Sequence, residues 1–294
     1  MDVVITYVNG LDPVWQKDYA EYVGGVVMEK RFRDWGTLRY LLRGIEQYMP
    51  FVNNVYLVVS GESQVPEWAD KHNLKVVLHR DIIPEEHLPV FNSTAIEMFL
   101  HRIEGLDEEF VYFNDDFFPV KPCRPEDFFV DGKALIKHHR CLFAFGLFKK
   151  QVRNSDHLAR SAAGAPRSLF FMRPQHISSP MLRSLSEELF AKKEKEILSS
   201  VTRLREDGNY NQYIFTDYLY FIGRTIHKKL SKRHFSMAVT SVDKVCRFLD
   251  NPDRQFMCVN DVKMSEEKYV NARRMLLDSF QRRLPERSRF ETLI

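Results

Sequence analysis

Short apolar segments alternate with amphipathic segments over the N-terminal 130 residues of the chain. Runs of Val, Ile, Leu, Tyr and Phe predict buried strands at 3–8, 55–60, 74–79 and 110–113. Leucines at helical spacing predict a helix over residues 37–49, and a Ser-Thr pair opens a second helix over 93–103. Alternation of this kind is typical of an α/β layer architecture with a mixed sheet.

The rest of the chain has a different pattern. Residues 140–180 are rich in Arg, His, Ser, Pro and Ala, and we expect a loop or lid there. Apolar spacing predicts helices over 181–200, 209–224 and 265–283. The last helix has Tyr269, Ala272, Leu276 and Phe280 on one face, which predicts that it packs on the body. We therefore expect a core over residues 1–139, with a lid and a helical portion over 140–294 completing the same domain.

Composition narrows the class of protein. Of 294 residues, 44% are hydrophobic and 28% charged, which fits a soluble globular chain, and a net charge of +3 gives no reason to expect a nucleic-acid partner. The four cysteines form no C-x-x-C pair, which argues against a structural zinc site and fits a reducing compartment. No apolar run approaches the roughly 20 residues that span a bilayer. We expect a cytoplasmic protein whose membrane contact, if any, is peripheral at the inner face.

The stretch VYFNDDFFPV (111–120) places Asp115 and Asp116 between aromatic segments. Buried charges cost several kcal/mol unless they are paired, hydrogen-bonded or bound to metal. These carboxylates therefore either end a strand at the surface or hold a cation. In open α/β sheets, ligands bind at the carboxyl ends of strands, and carboxylates together with substrate phosphates suit Mg²⁺ or Mn²⁺. We therefore predict a magnesium or manganese site that binds a diphosphate.

Other motifs are compatible with two interpretations. The sequence YVNGLDP (7–13) is either an ordinary turn or a turn whose backbone approaches a nucleotide. Arg39 and Arg43 share a helix face behind Arg33, which predicts either a phosphate-binding cluster or a solvated face paired with Glu46. Downstream, Asn92 is a helix-cap candidate, and Glu97, His101 and Arg102 could form surface pairs.

Taken in order, four blocks of sequence resemble the Stealth family of bacterial capsular and exopolysaccharide hexose-1-phosphate transferases, which is related to the animal N-acetylglucosamine-1-phosphotransferase. They are DVVITYVNGLDP, RFRDWGTLRYLLRGIEQYMPFV, HLPVFNSTAIEMFLHRIEGL and FVYFNDDFF. Residues 256–291, with their Cys-x-Asn-Asp, look like the last block of the family, and residues 176–185 and 203–215 look like the intervening one. The likeness covers nearly the whole chain.

The resemblance implies a glycosyltransferase-A-like core that transfers hexose-1-phosphate from a UDP-sugar to a glycan or lipid-linked glycan hydroxyl and releases UMP. It implies metal ligation by Asp115, Asp116 and Asp261. The implied nucleotide and substrate contacts are Tyr7, Asn9, Asp12, Asn92, Asn209 and Asn260, with Arg33, Arg39 and Arg43 as phosphate or pocket-organising residues. The implied catalytic set is Asp116, Arg205 for the transferred group, and His176 as general base.

The chain departs from the family pattern at three places. Tyr7 stands where Trp is common, and Thr202 and Asn209 stand where a His and an Asp flank the residue that matches Arg205. The general base is therefore either His176 or unnecessary, because a loose phosphoryl-transfer transition state needs little base assistance. Two alternatives stay open: a metal-dependent glycosyltransferase that releases UDP, and a non-catalytic sugar-nucleotide-binding subunit.

Overall fold

The structure is a computed structural model that describes residues 1–23, 32–260 and 264–292. The chain forms two compact units, each assembled from three separated stretches of sequence. The first unit comprises residues 1–4, 77–112 and 125–230, and the second unit comprises residues 5–76, 113–124 and 231–294. The predicted boundary at residue 139 lies inside the first unit.

Strands form where β-branched and aromatic residues are concentrated. They are β1 Asp2–Thr6, β2 Val55–Val59, β3 Leu74–Leu78, β4 Glu109–Asn114, β5 Phe117–Pro119, β6 Phe129–Val130, β7 Lys133–Leu135, β8 His138–Cys141, β9 Phe171–Pro174, β10 Ser179–Leu182, β11 Thr225–Ile226, β12 Lys232–Ser236 and β13 Phe256–Asn260. The strands β1 to β4 confirm the four that the apolar runs predict.

Helices account for most of the remaining regular structure. They are α1 Pro13–Val23, α2 Leu38–Tyr48, α3 His79–Ile82, α4 Ser93–Glu97, α5 Leu147–Ala162, α6 Arg183–Lys192, α7 Glu194–Ser200, α8 Tyr213–Phe221, α9 Val242–Asp250 and α10 Glu266–Arg283. The helix predicted over 93–103 is shorter than expected, because α4 gives way to a 3₁₀ turn at Leu100–Arg102.

The sheets confirm a mixed α/β class. The five-stranded sheet has the order β10-β4-β1-β2-β3, and β10 runs antiparallel to β4. In the second unit, β13 lies between β12, to which it is parallel, and β5, to which it is antiparallel. In the first unit, β7 pairs in parallel with β11 and antiparallel with β6, while β8 and β9 form an antiparallel pair.

The prediction of a loop or lid over residues 140–180 is wrong. This stretch contains the 16-residue helix α5 together with β9 and part of β10. Its helical period is hard to read because the buried face of α5 carries polar side chains, including Gln151, Ser155 and Asp156, beside Val152 and Leu158. Those polar groups are satisfied inside the first unit: the hydroxyl of Ser155, for example, donates to the carbonyl of Gln151.

The packing of α10 in the second unit agrees with the predicted face. The side chains that the spacing places together, namely Tyr269, Ala272, Leu276 and Phe280, are all buried. Phe280 stacks on Tyr40 of α2 with ring centroids 5.3 Å apart and lies 4.7 Å from the ring of Phe118 in β5. Within the described residues, none of the helices combines the length and apolarity that a bilayer crossing requires.

Candidate active site

The predicted acidic pair lies where β4 ends in the second unit. The chain turns at Asp115 and Asp116 and then enters β5, which pairs with β13 so that Phe117 lies opposite Cys258. The backbone of Asp116 is fixed by this pairing, since its carbonyl accepts from the amide of Val259 at 3.0 Å. Its side chain contacts the Cys258 thiol, with Sγ 3.6 Å from Oδ2. The strand pairing therefore brings the C-terminal block to the acidic pair.

The two carboxylates lie in an electrostatically unfavourable position. Burial, then the neighbouring Asp116 carboxylate and the Asp34 carboxylate, raise the pKa of Asp115 to about 8. Burial also raises the pKa of Asp116 to about 6, although the Cys258 thiol and the charge of Lys232 act in the opposite direction. Within the described part of the chain, Oδ1 of Asp116 is buried and lacks a hydrogen-bond partner. Such a group is costly to bury unless a ligand completes it.

Asp34 is a member of this acidic group that sequence reasoning missed as a ligand candidate. Its Oδ1 accepts from the amide of Gly36 at 2.8 Å, and its backbone carbonyl accepts from the Tyr269 hydroxyl at 2.7 Å. The Tyr7 hydroxyl is hydrogen-bonded to the Asp34 carboxylate, and burial together with the charges of Asp34 and Asp115 raises the pKa of Tyr7. The only sequence signal was its place before the tight Trp-Gly turn.

The first turn, NGLDP, is held by hydrogen bonds within the second unit. The Asp12 carboxylate accepts from Ser63 Oγ and Gln64 Nε2, both at 2.7 Å, and from the first amides of α1. Burial alone would raise the pKa of Asp12, but these hydrogen bonds outweigh it and the pKa is lowered. The Gln64 side chain also accepts from the backbone amide of Asn9 and donates to the backbone carbonyl of Asn9. Asn9 and Asp12 thus shape the turn, through a glutamine that no motif indicated.

The close backbone approach in this turn is to another part of the chain. A Cβ added to Gly10 would lie 2.3 Å from the carbonyl oxygen of Phe32, and the Gly10 amide donates to that same oxygen at 2.9 Å. Glycine is therefore required at this position so that the turn can lie against Phe32. The structure accounts for the Asn-Gly pair without a nucleotide.

A polar cavity of about 380 Å³ opens beside the turn in the second unit. Its lining includes Tyr7, Asn9, Asp12, Asp34, Gly36, Leu38, Ser63, Gln64, Val65 and Trp68. The volume lies within the range of small-molecule sites, roughly 300 to 1,000 Å³. Tyr7 and Asp34 both line the cavity, and their side chains are hydrogen-bonded to each other. The charge of Asp34 also raises the pKa of Asp115. The cavity and the acidic group therefore form one region.

The three predicted arginines have different environments. Arg43 is buried, pairs with Glu291 at 2.7 Å and donates to the carbonyl of Leu284 at 2.9 Å. Arg43 therefore holds the C-terminal segment, and its predicted role in phosphate binding or pocket organisation stays a prediction. Arg39 is partly exposed and lies over the ring of Trp68, which lines the cavity.

Arg33 pairs with Glu266 at 3.1 Å and lies over the ring of Tyr269. Its Nη1 is a buried donor with no hydrogen-bond partner in the portion of the chain that is described. Arg273 of α10 is a further cation here, since its Nε donates to the carbonyl of Asp34 at 3.3 Å. Arg33 and Arg273 are thus the guanidinium groups beside the acidic region.

The predicted C-terminal residues are only partly described. Asn260 Oδ1 lies 2.9 Å from Nε2 of His234 and 2.8 Å from the Cys258 thiol. Burial and the Asp116 carboxylate raise the pKa of Cys258 well above its usual range, so the thiol is protonated. The predicted ligand Asp261 lies outside the described residues.

A second set of predicted residues belongs to the first unit and forms a fully bonded network. The amide of Asn92 donates to Asn209 Oδ1 at 3.0 Å and to the carbonyl of Thr202 at 3.1 Å, while its oxygen caps α4 at Thr94. Asn209 Nδ2 donates to Thr202 Oγ1 at 2.8 Å and to the carbonyl of Ser200 at 2.6 Å. Both asparagines are buried and hold the loop together, and their predicted substrate contact stays a prediction. Thr202 and Asn209, two of the three positions that depart from the family pattern, are thus hydrogen-bonded to each other.

Arg205, His176 and Glu97 also lie in the first unit. Arg205 Nη2 donates to the hydroxyl of Ser93, and the ring of His176 is hydrogen-bonded through Nδ1 to the Tyr213 hydroxyl at 3.0 Å. The surface pairs expected for Glu97 and His101 are not formed, because both residues are buried. Burial raises the pKa of Glu97 to about 7, against the bond from the Gln212 amide and the charge of Arg205.

The residues of the acidic region fit a hard divalent cation. A bound cation would satisfy the unpartnered, buried carboxylate oxygen of Asp116 and would offset the repulsion that Asp116 and Asp34 exert on Asp115. The oxygen donors match the preference of Mg²⁺ and Mn²⁺, and the protonated thiol of Cys258 does not change that preference. Fold and site together define an α/β protein with a polar cavity beside a group of carboxylates.

Comparison with known proteins places the chain in a family. The model of Stealth protein conserved region 2 matches residues 31–136. Receptor polysaccharide phosphotransferase WefC of Streptococcus oralis is 32% identical over 99% of this chain and 99% of its own length. Capsular polysaccharide phosphotransferase WcwK of Streptococcus pneumoniae is 30% identical, again over 99% of both chains. The chain belongs to the Stealth family, which confirms the resemblance read from its sequence blocks.

One solved structure is also similar in outline. It is the crystal structure of the galactosyltransferase LgtC in complex with donor and acceptor sugar analogs, with 12% sequence identity and a TM-score of 0.41 over 98% of each chain. A likeness at that TM-score carries no argument about this chain, and the glycosyltransferase-A-like core stays a prediction.

Proposed function

We propose that this protein transfers hexose-1-phosphate from a UDP-sugar to a glycan hydroxyl and releases UMP, in the synthesis of a capsular or other surface polysaccharide. The observation that carries the proposal is the buried, unpartnered carboxylate oxygen of Asp116, in an acidic region that adjoins a cavity of about 380 Å³. Membership of the Stealth family and the names of the similar proteins, both phosphotransferases, support it.

Asp115 and Asp116 are the proposed ligands of Mg²⁺ or Mn²⁺, with Asp34 as an additional carboxylate and Asp261 as the predicted further ligand. When bound, the cation would neutralise charge on the diphosphate oxygens as the phosphoryl group is transferred. The raised pKa values of Asp115 and Asp116 mean that the free site retains protons, which a cation displaces on binding. The cation identity is part of the proposal.

The cavity is the proposed nucleoside site. Its size suits a nucleoside, and Tyr7 and Trp68 offer aromatic surfaces in its lining. Arg33, with a buried donor that lacks a partner among described residues, and Arg273, which lies beside Asp34, are the proposed diphosphate contacts. Asn9, Asp12 and Gln64 hold the turn that forms one wall.

The proposed step is an in-line displacement at the β-phosphorus of the donor. The acceptor hydroxyl oxygen forms a bond to that phosphorus, the bond from the phosphorus to the bridging oxygen breaks, and UMP leaves with that oxygen. The acceptor proton goes to a base, for which we keep His176, whose ring is oriented by the Tyr213 hydroxyl. Arg205 is kept as the predicted contact of the transferred group.

Two further points follow from this chemistry. The proposed acceptor is a growing glycan or a lipid-linked glycan. Its hydroxyl group would be joined to the transferred sugar through a phosphodiester. We also propose a cytoplasmic location, since UDP-sugars are made in the cytoplasm, with peripheral contact at the inner face of the membrane.

Product analysis tests the proposal directly. The purified protein is incubated with Mg²⁺ or Mn²⁺, a panel of UDP-sugars and acceptor glycan, and nucleotide products are separated by chromatography. Acceptor-dependent UMP is the expected result. UDP in its place would contradict the proposal and identify a glycosyltransferase, whereas donor binding without either product would identify a sugar-nucleotide-binding subunit.

A further inference from the structure

Two loops of the first unit expose an unusual amount of apolar surface. Of the large hydrophobic residues that are exposed in the described chain, seven of thirteen lie in residues 142–148 and 169–170. The most exposed of these seven are Phe143 at 63%, Phe145 at 76% and Leu169 at 86%. Scattered single exposed apolar residues are normal, but a contiguous group marks an interaction surface. We call residues 142–148 and 169–170 the aromatic patch.

The two loops extend from one end of a single strand pair, so the patch is continuous. Strands β8 and β9 are antiparallel, with Cys141 opposite Phe171, and each loop begins at that end. The guanidinium of Arg140 lies 4.4 Å from the centre of the Phe170 ring, which links the loops. Phe143 and Phe145 stack on each other at 5.7 Å.

The loop is anchored beneath these rings. Ala144 and Cys141 pack against a buried cluster of Val152, Phe171 and Tyr213. Phe143 and Phe145, on either side of Ala144, are both exposed. The exposure of the rings therefore follows from how the loop is held.

The stretch of chain that carries the aromatic patch is predominantly basic. Residues 138–174 contain seven Lys and Arg residues and one acid, although the whole chain carries a net charge of only +3. The single acid, Asp156, is fully buried and pairs with Arg160 at 3.3 Å. Lys150 pairs with Asp207, outside this stretch. The outer surface of this region is thus apolar at its tip and basic around it.

We propose that the aromatic patch docks the protein on an anionic bilayer surface. Phe and Leu side chains enter the interface between headgroups and acyl chains, while Lys and Arg attract anionic lipids, and stable peripheral binding takes two such contributions. The patch has aliphatic and phenyl groups without hydrogen-bonding atoms, whereas recognition of a glycan needs hydrogen-bonding partners for hydroxyl groups. The basic segment 223–234 exposes no large apolar residue, so it lacks the apolar contribution that the patch supplies.

Vesicle flotation with the full chain tests the proposal. The probes are vesicles of phosphatidylcholine and of phosphatidylcholine mixed with phosphatidylglycerol. The combined variant Phe143→Ser, Phe145→Ser, Leu169→Ser is expected to lose about a hundredfold in binding to the anionic vesicles. Val239→Ser is the matched control, since Val239 is 88% exposed in the other unit, and it should bind like the unaltered protein. Thermal unfolding should be the same for all three proteins.

A charge variant separates the two contributions. Lys149→Gln with Arg167→Gln is expected to weaken binding to anionic vesicles roughly tenfold or more, with no change on neutral vesicles, and added salt should have the same effect. Anionic-vesicle binding that is equal in the triple variant and the unaltered protein would overturn the proposal. So would a failure of the unaltered protein to float, binding to a soluble anionic polysaccharide in place of vesicles, or self-association that the triple variant abolishes.

Discussion

The end of β4 and the Asn92–Asn209 network both contain polar side chains away from solvent, but these side chains differ in how fully they are hydrogen-bonded. At the end of β4, the Asp116 carboxylate has a buried oxygen with no hydrogen-bond partner among described residues, and the pKa of Asp115 is raised to about 8. In the network, the amide groups of Asn92 and Asn209 bind the backbone of residues 200–206 and each other. The carboxylates were predicted to bind metal, and the asparagines were predicted to contact substrate.

The difference shows that residue type alone does not distinguish a polar side chain that stabilises the fold from one that binds a ligand. A polar side chain whose bonding capacity is used by the protein stabilises the fold, because removing it leaves its buried partners unsatisfied. A polar side chain that is buried and incompletely bonded destabilises the free protein and has capacity left for a ligand. On this criterion we expect Asp115 and Asp116 to act in binding, and we expect Asn92, Asn209 and Arg43 to act mainly in the framework.

The largest expected effect is on turnover. Asp116→Asn removes one charge from the acidic region and should lower the rate of product formation at least about a thousandfold, because transition-state charge on phosphate is no longer compensated. The free energy of unfolding should stay the same or rise. The control is Asp278→Asn, an exposed aspartate in α10, which should leave the rate unchanged. A rate within a few-fold of normal for Asp116→Asn would remove the acidic region from the mechanism.

The opposite effect is expected in the network. Asn209→Ala leaves the backbone amide of Glu206 and the carbonyl of Ser200 without this partner, and it removes one of the acceptors of the Asn92 side-chain amide. The substitution should cost about 2 to 4 kcal/mol of stability. Urea unfolding measures this cost. Asn154→Ala, at a residue with one exposed hydrogen bond to the carbonyl of Asp207, is the comparison and should cost about 0.5 to 1 kcal/mol. Equal costs for the two variants would contradict the structural assignment of Asn209.

A third test uses pH. The pKa of Asp115 is about 8 in the folded chain and about 3.8 in the unfolded chain, so between pH 4 and pH 8 the unfolded state ionises first. Stability without divalent cations should therefore fall as pH rises through that window, because the folded chain must keep Asp115 protonated or bury its charge. Asp115→Asn should remove this effect, so that the variant is more stable than the unaltered chain at pH 8 and equal to it at pH 4. A steeper fall in the variant would reverse the argument.

The smallest effect is expected at the first turn. Gln64→Ala removes the bonds to Asn9 and Asp12 and should raise the KM for the donor about fivefold with little change in kcat, because the cavity wall loosens while the acidic region is unchanged. Ser63→Ala removes one bond to Asp12 and should do less. A fall in kcat alone would place Gln64 in the chemical step.

The sequence predicted the elements with strong apolar periodicity and missed those without it. The strands β1 to β4 and the buried face of α10 follow directly from hydrophobic spacing. Helix α5 was missed because Gln151, Ser155 and Asp156 occupy its buried face, where polar side chains disrupt the apolar period.

Only part of the candidate site could be predicted from the sequence. The acidic pair was predictable because two carboxylates between aromatic segments need an explanation. Asp34 and Gln64 were not, because each joins the site through contacts between distant positions in the chain, such as Tyr7 with Asp34 and Asp12 with Gln64. The structural bond between Asn92 and Asn209 was not predictable for the same reason, since only the fold reveals it.

Cation binding tests the central claim most directly. Titration of the protein with Mn²⁺, followed by loss of the free-ion electron paramagnetic resonance signal, measures binding without requiring an acceptor or turnover. We predict one saturable site in the unaltered protein, at least about tenfold weaker in Asp116→Asn and unchanged in Asp278→Asn. Equal Mn²⁺ affinity in all three proteins would contradict the claim that the acidic region at the end of β4 holds the cation.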